Sequence, residues 1–209
     1  FNEPAGTYQY SIGSVSGYTA SPSSGSVTVS GTTSEAIVFT KVSPTTYPVT
    51  FTESGLPSGT TWSVTLNGNT QSSTTSTITF NEPAGTYQYS IGSVSGYTAS
   101  PSSGSVTVSG TTSEAIAFTQ ITYPVTFSES GLPSGTTWSV TLNGQTQSST
   151  TSTITFNEPA GTYQYSIGSV SGYTSSPSSG SVTVSGTTSE AIAFTQITYP
   201  VTFSESGLP

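Results

Sequence analysis

Glutamate is the only side chain in this sequence suited to general acid or base work. The 209 residues hold nine Glu and one basic residue, Lys41, with no Asp, Arg, His or Cys. Two carboxylates at a fixed separation can hydrolyse a glycosidic bond. Glu53, Glu82 and Glu114 recur as Glu129, Glu158 and Glu190, so each full copy of a long repeat holds the same three. They fall on different predicted strands and loops, and a hydrolase of identical tandem units would be unusual. No catalytic residue is assigned, and the chain reads as a non-enzyme. Calcium needs several carboxylates in one tight loop. Glu82 has one useful neighbour, Asn81, and a turn held by Asn81 is the better reading. Zinc and thiol chemistry need His or Cys, and phosphoryl transfer needs an Arg clamp. No metal or cofactor is expected. A Lys–Asn isopeptide cross-link needs a Lys in every unit, and Lys41 lies in a joint between units. The net charge of −8 argues against a nucleic-acid partner.

Aromatic rings are the other chemistry available, with 12 Tyr, 9 Phe and 2 Trp. Trp62, Tyr87, Tyr89 and Tyr97 are candidates for stacking on sugar rings. Trp62 is in phase with Val64 and Leu66, which places it in a core. Tyr97 sits in a Ser-Gly-Tyr-Thr turn, off the strand pattern. Tyr97 and its equivalents Tyr173 and Tyr18 are therefore the candidates for contact with a neighbouring unit or a ligand.

These residues are positioned by a repeat. Tyr47, Tyr123 and Tyr199 each begin the sequence YPVTF, at a spacing of 76 residues. The expected organisation is a partial repeat at 1–46 and full repeats at 47–122 and 123–198. The first strand of a further repeat follows at 199–209. The full copies differ only at Thr52/Ser128, Asn69/Gln145 and Ala99/Ser175. No unit is specialised, which favours building length or multivalency over a unique site. Beginning and ending in mid-repeat suggests a window cut from a longer array.

Within a copy the apolar residues alternate. Tyr47, Val49 and Phe51, then Trp62, Val64 and Leu66, then Ile78 and Phe80 keep a period of two. Tyr87, Tyr89 and Ile91, then Val106 and Val108, then Ile116 and Phe118 continue it. This is the pattern of half-buried strands. Leu-Pro-Ser-Gly at 56–59, Asn67-Gly68 and Pro83-Ala84-Gly85 supply turns, and Asn-Gly is a strong hairpin signal. The reading is all-β: small antiparallel sandwiches of six or seven strands, repeated in tandem, with a barrel as the weaker alternative. A capping-box match at Thr111 and Glu114 is too short and strand-like to carry a helix. Such a unit is small for a self-sufficient core, so contacts with neighbouring units or chains are expected. Tyr199, Val201 and Phe203 form a candidate strand-exchange segment.

Charged residues are 5% of the chain, against about 25% in an ordinary domain. With one Lys, the fold cannot depend on salt bridges, and acid has few paired carboxylates to disrupt. The absence of Cys and Met removes the oxidisable side chains. This composition suits an acidic or oxidising exterior. No apolar run is long enough to span a membrane. Asn67, Asn69 and Asn81 all fail the N-glycosylation pattern. The abundant Ser and Thr offer sites for O-linked glycans, although Thr is also the polar residue that strands favour.

The stretch YPVTFTESGLPSGTTWSVTLNG (47–68), followed by AGTYQYSI (84–91) and GYTASPSSGSVTVSG (96–110), resembles a known group of repeats. These are the tandem repeats of archaeal secreted and cell-surface proteins, including thermopsin-like, S-layer-associated and adhesin-like proteins. The GLPSGTTW stretch is similar to PEGA-type surface β-domains. The resemblance implies an immunoglobulin-like β-sandwich in an extracellular archaeal protein. It does not imply protease activity, because the catalytic carboxylates of such proteases lie in another domain. The expected function is structural: a building block of a cell-surface filament, fibre or stalk, with a role in adhesion. Its partners would be neighbouring repeats and chains of a homopolymer, with O-linked glycans or surface carbohydrate. A multivalent carbohydrate-binding array and a non-catalytic spacer of a secreted enzyme are the alternatives.

Overall fold

The computed structural model describes residues 1–207. Residues 1–46 contribute β1 (Gly6–Ser11), β2 (Tyr18–Ser21), β3 (Ser24–Val29) and β4 (Val38–Lys41). The next copy contributes β5 (Thr46–Ser54), β6 (Trp62–Leu66), β7 (Asn69–Ser73) and β8 (Thr77–Pro83). It continues with β9 (Gly85–Ile91), β10 (Tyr97–Ser100), β11 (Ser103–Val108) and β12 (Thr112–Gln120). The third copy repeats this order as β13 (Tyr123–Ser130), β14 (Trp138–Leu142), β15 (Gln145–Ser149) and β16 (Thr153–Glu158). It ends with β17 (Gly161–Ile167), β18 (Tyr173–Ser176), β19 (Ser179–Val184) and β20 (Thr188–Gln196). The capping-box match falls at the start of a strand, β12.

The third copy lies wholly within one compact unit of the chain, and its contacts define the fold. One sheet has the order β16-β13-β20-β18 and the other β15-β14-β17-β19. The second copy has the same two orders, β8-β5-β12-β10 and β7-β6-β9-β11. Eight strands therefore make each full copy, where the alternation predicts six or seven. The two additions are β15 and β18. The first is polar throughout and the second has four residues, so neither shows an apolar period.

Alternation along each strand separates core from solvent. Trp138, Val140 and Leu142 are buried on β14, while Ser139 and Thr141 between them are not. The core joins Val125, Phe127, Phe156 and Phe194 of one sheet to Trp138, Val140, Tyr165 and Val182 of the other. Ring contacts cross between the sheets. Phe127 meets Tyr165 edge-on at 5.1 Å and Trp138 meets Phe194 at 6.2 Å. Trp62 is 2% exposed, in the core where its phase puts it. On the outer faces, threonines pair across strands: Thr126 with Thr155, Thr141 with Thr146, and Thr162 with Thr183. Such pairs support a sheet without burial.

Local devices close the frame. Asn143 and Gly144 both have positive φ, 49° and 77°, as a tight hairpin between β14 and β15 requires. The hydroxyl of Tyr163 donates to the Pro159 carbonyl at 3.0 Å, and Tyr87 and Tyr8 do the same to Pro83 and Pro4. A tyrosine tied to the backbone just upstream is a corner device of immunoglobulin-like sandwiches.

One pairing departs from the antiparallel expectation. β13 runs parallel to β20, with Val125 opposite Thr188 and Ser130 opposite Ala193. The remaining pairings within the third copy are antiparallel. Parallel pairing of first and last strands is a long-range choice that neither local sequence displays.

Residues 1–46 form two two-stranded sheets, β1-β3 and β2-β4. Phe39 is 43% exposed there, whereas its equivalent Phe194 is 5% exposed. The apolar face of Phe194 is covered by the sheet that β14 and β17 provide, and residues 1–46 hold no equivalent of β14. Residues 199–207 carry a first-strand sequence but form no strand. Their equivalent β13 is hydrogen-bonded on both sides, to β16 and β20, and this segment has no such neighbour. Of the expected 199–209 segment, residues 208 and 209 lie outside the described residues.

Candidate functional site

The carboxylates serve the fold at separate places. Glu129, the penultimate residue of β13, accepts the Leu132 N–H at 3.4 Å. Glu158 is 8% exposed at the end of β16 and accepts from Asn143 Nδ2 at 3.2 Å, which ties the hairpin turn to the other sheet. Glu190 stands opposite Phe127 on β20. Among the described residues no group of three metal-binding side chains assembles. No helix of the described residues is long and apolar enough to cross a membrane.

Tyr165 has a displaced titration. Burial first, then the nearby Glu190 charge, pushes its phenol above the usual value of 10.0. Both causes favour the protonated, neutral form. The associated stability is present below the unfolded pKa and is lost as pH rises through the folded one. The melting temperature is therefore expected to fall as pH rises above about 10. Tyr165→Phe should flatten that fall, as read by a thermal melt at each pH. An unchanged slope would remove Tyr165 as its cause.

The GLPSGTTW stretch, most distinctive in sequence, makes the connection from β13 to β14. Gly131 has φ 95° and lies against the backbone of Phe194, where a Cβ would overlap the carbonyl oxygen. Leu132 packs on the core. The Pro133 carbonyl accepts the Thr136 N–H at 3.1 Å, and Gly135 turns the chain at φ 84°. Trp138 then enters the core, its indole N–H donating to the Thr151 carbonyl at 2.7 Å. Within the motif, Gly131, Leu132, Pro133, Thr136 and Trp138 thus make contacts that shape the copy, while Ser134 and Thr137 are exposed to solvent.

Two of the three candidate tyrosines, Tyr97 and Tyr173, are half-buried, and Tyr18 is exposed. Tyr97 and Tyr173 are the first residues of β10 and β18. Each strand is held to the end of its neighbour, with Tyr97 opposite Gln120 and Tyr173 opposite Gln196. Each tyrosine also closes the turn before its strand, the Tyr97 and Tyr173 N–H donating to the Val94 and Val170 carbonyls at 3.1 Å. Tyr173 lines an open cleft of about 390 Å³ with Ile167, Val170, Thr174, Ser178 and Phe194. Tyr97 lines the equivalent cleft of about 360 Å³ with Ile91, Val94 and Phe118. Tyr18 is 45% exposed. Tyr199, Val201 and Phe203 are 81%, 77% and 93% exposed, while Val125 and Phe127 at the same phase of β13 are fully buried.

No protein-family model matches the chain, and no curated protein matches it in sequence. Solved structures do match. The Bacillus anthracis TIE protein is 12% identical with a TM-score of 0.51, over 91% of this chain and 41% of that one. The chain therefore spans well under half the length of that structure. A streptococcal ancillary pilin is 16% identical with a TM-score of 0.35, over 91% of this chain and 76% of its own. The minor pilin GBS52 of Streptococcus agalactiae is 13% identical with a TM-score of 0.34, over 76% of this chain and 100% of its own. At such identity the TIE protein shares the fold. The chain is an all-β protein of tandem, small, immunoglobulin-like β-sandwich repeats.

Proposed function

We propose that this chain is part of a structural extracellular protein, a tandem-repeat building block of a cell-surface filament, fibre or stalk. The domains of that array are 1–46, 47–122, 123–198 and 199–209. The observation that carries the reading is internal use of the distinctive residues. Glu129, Glu158, Trp138 and Gly131 all bind or pack within the copy, and the two full copies differ at three conservative positions. What such units add to one another is length. The extracellular setting rests on the composition, and the archaeal surface-repeat assignment rests on the GLPSGTTW stretch. Tyr199, Val201 and Phe203, whose sequence repeats that of the buried central strand β13, are the candidate strand-exchange segment for self-association. Electron microscopy of the native protein tests this reading. It should show fibres, and deleting 199–209 should shorten them.

The clefts at Tyr97 and Tyr173 favour a second reading, a multivalent array for neutral carbohydrate, with or without adhesion. Each cleft is uncharged and lined by aliphatic side chains, a Tyr and a Phe ring, and Ser and Thr residues. Binding to immobilised neutral glycans, lost on Tyr173→Ala, would support it. Fibres without glycan binding would leave only the structural reading.

A further inference from the structure

We propose that each repeat is a tension-bearing unit and that the parallel β13–β20 pair is its mechanical clamp. The inference takes the source of tension from the filament or stalk reading; the clamp itself is a property of one repeat.

The backbone enters the third copy at Tyr123, the first residue of β13, and leaves after Gln196, the last residue of β20. These two strands are hydrogen-bonded neighbours running in the same direction, from Val125 opposite Thr188 to Ser130 opposite Ala193. Tension between the ends pulls β13 back along its own axis and β20 forward along its own. The strands are asked to slide past one another. The bonds of a parallel ladder are slanted but evenly spaced between the two strands, so sliding loads all of them together. An antiparallel terminal pair would place both ends on one side and open one bond at a time.

Side chains resist the slip as well. Val125 and Phe127 on β13, and Ile192 and Phe194 on β20, are buried in the same core. A slip of one residue would turn each apolar set to solvent, so the smallest tolerated step is two residues. β13 is also held on its far side by β16, from Tyr123 opposite Glu158 to Ser128 opposite Thr153. β20 is held on its far side by β18. The load path thus stays within the two central strands of one sheet. The sheet built on β14 and β17 lies outside it. The second copy places β5 beside β12 in the same sheet order.

Forced unfolding reads the barrier along the pulling direction, so one molecule pulled two ways tests the clamp. The full chain has no cysteine, and handles attach where cysteines are introduced. Thr122 and Thr198 are exposed and flank the clamp; Asn157 is exposed on β16, opposite Pro124. In the Thr122→Cys, Thr198→Cys chain, tension shears β13 against β20. In the Thr122→Cys, Asn157→Cys chain, tension opens the antiparallel β13–β16 pair from its end. Single-molecule stretching should give a severalfold higher unfolding force for the first pair, with matching circular dichroism for both chains. Equal forces, or a lower force for the 122/198 pair, would overturn the clamp. That failure would leave fibres in the microscope untouched, whereas absent fibres would sink the filament reading and leave the clamp standing.

Discussion

Trp138→Ala is expected to remove about 3–5 kcal/mol, the usual cost of deleting a buried large aromatic ring. Trp138 is 2% exposed, meets Phe194 edge-on across the sheets, and donates its indole N–H to the Thr151 carbonyl. Truncation leaves a cavity between the sheets and an acceptor without its donor. The size of the loss matters because small folds are marginal, at roughly 0.05–0.15 kcal/mol per residue. For one copy that is roughly 4–11 kcal/mol in all. Trp138→Phe should cost less, since it keeps a ring against Phe194. Denaturant unfolding followed by circular dichroism measures both. A loss under about 1 kcal/mol for the alanine variant would show that the ring is not a core anchor.

Gly131→Ala is the second large expected effect. At φ 95° any side chain is strained, and here a Cβ would also overlap the Phe194 carbonyl oxygen. Strain of that kind alone costs about 1–3 kcal/mol. Gly135→Ala is the matched comparison, because Gly135 has φ 84° with open space around its Cβ position. It should lose only the conformational part. The difference between the two variants, read as a shift in denaturant midpoint, reports the close approach of the β13–β14 connection to β20. Equal losses would mean that β20 moves aside without cost.

Much of this fold is legible in the residues. Trp138, Val140 and Leu142 alternate with Ser and Thr, and both the strand and its buried face follow. Asn143-Gly144 marks the hairpin because both residues adopt positive φ. What stays hidden is long-range or too short for a period. The polar strand β15 is a sheet edge whose existence depends on β14 beside it. Tyr173 closes a turn and also begins β18, a strand of four residues that is too short to show a period. The parallel match of β13 with β20 leaves no local mark, since both strands alternate as antiparallel ones would. Gly131 stands out within its motif, yet its reason, the Phe194 carbonyl, belongs to the far end of the repeat. The candidate site is less legible still. The clefts at Tyr97 and Tyr173 are formed by the local stretches 91–102 and 167–178, and Phe118 and Phe194 close them from the last strand, a long-range contact that no local pattern displays.

The central claim is that these sandwiches exist to build length outside the cell. Electron microscopy of the native protein at pH 7 and pH 2 tests it most directly. The proposed assembly rests on apolar strands and backbone pairing, and the chain holds one Lys against nine Glu, so salt bridges between charged side chains would contribute little to it. Long fibres with a regular axial repeat at both pH values are the expected result. Dispersed particles at both would contradict the claim.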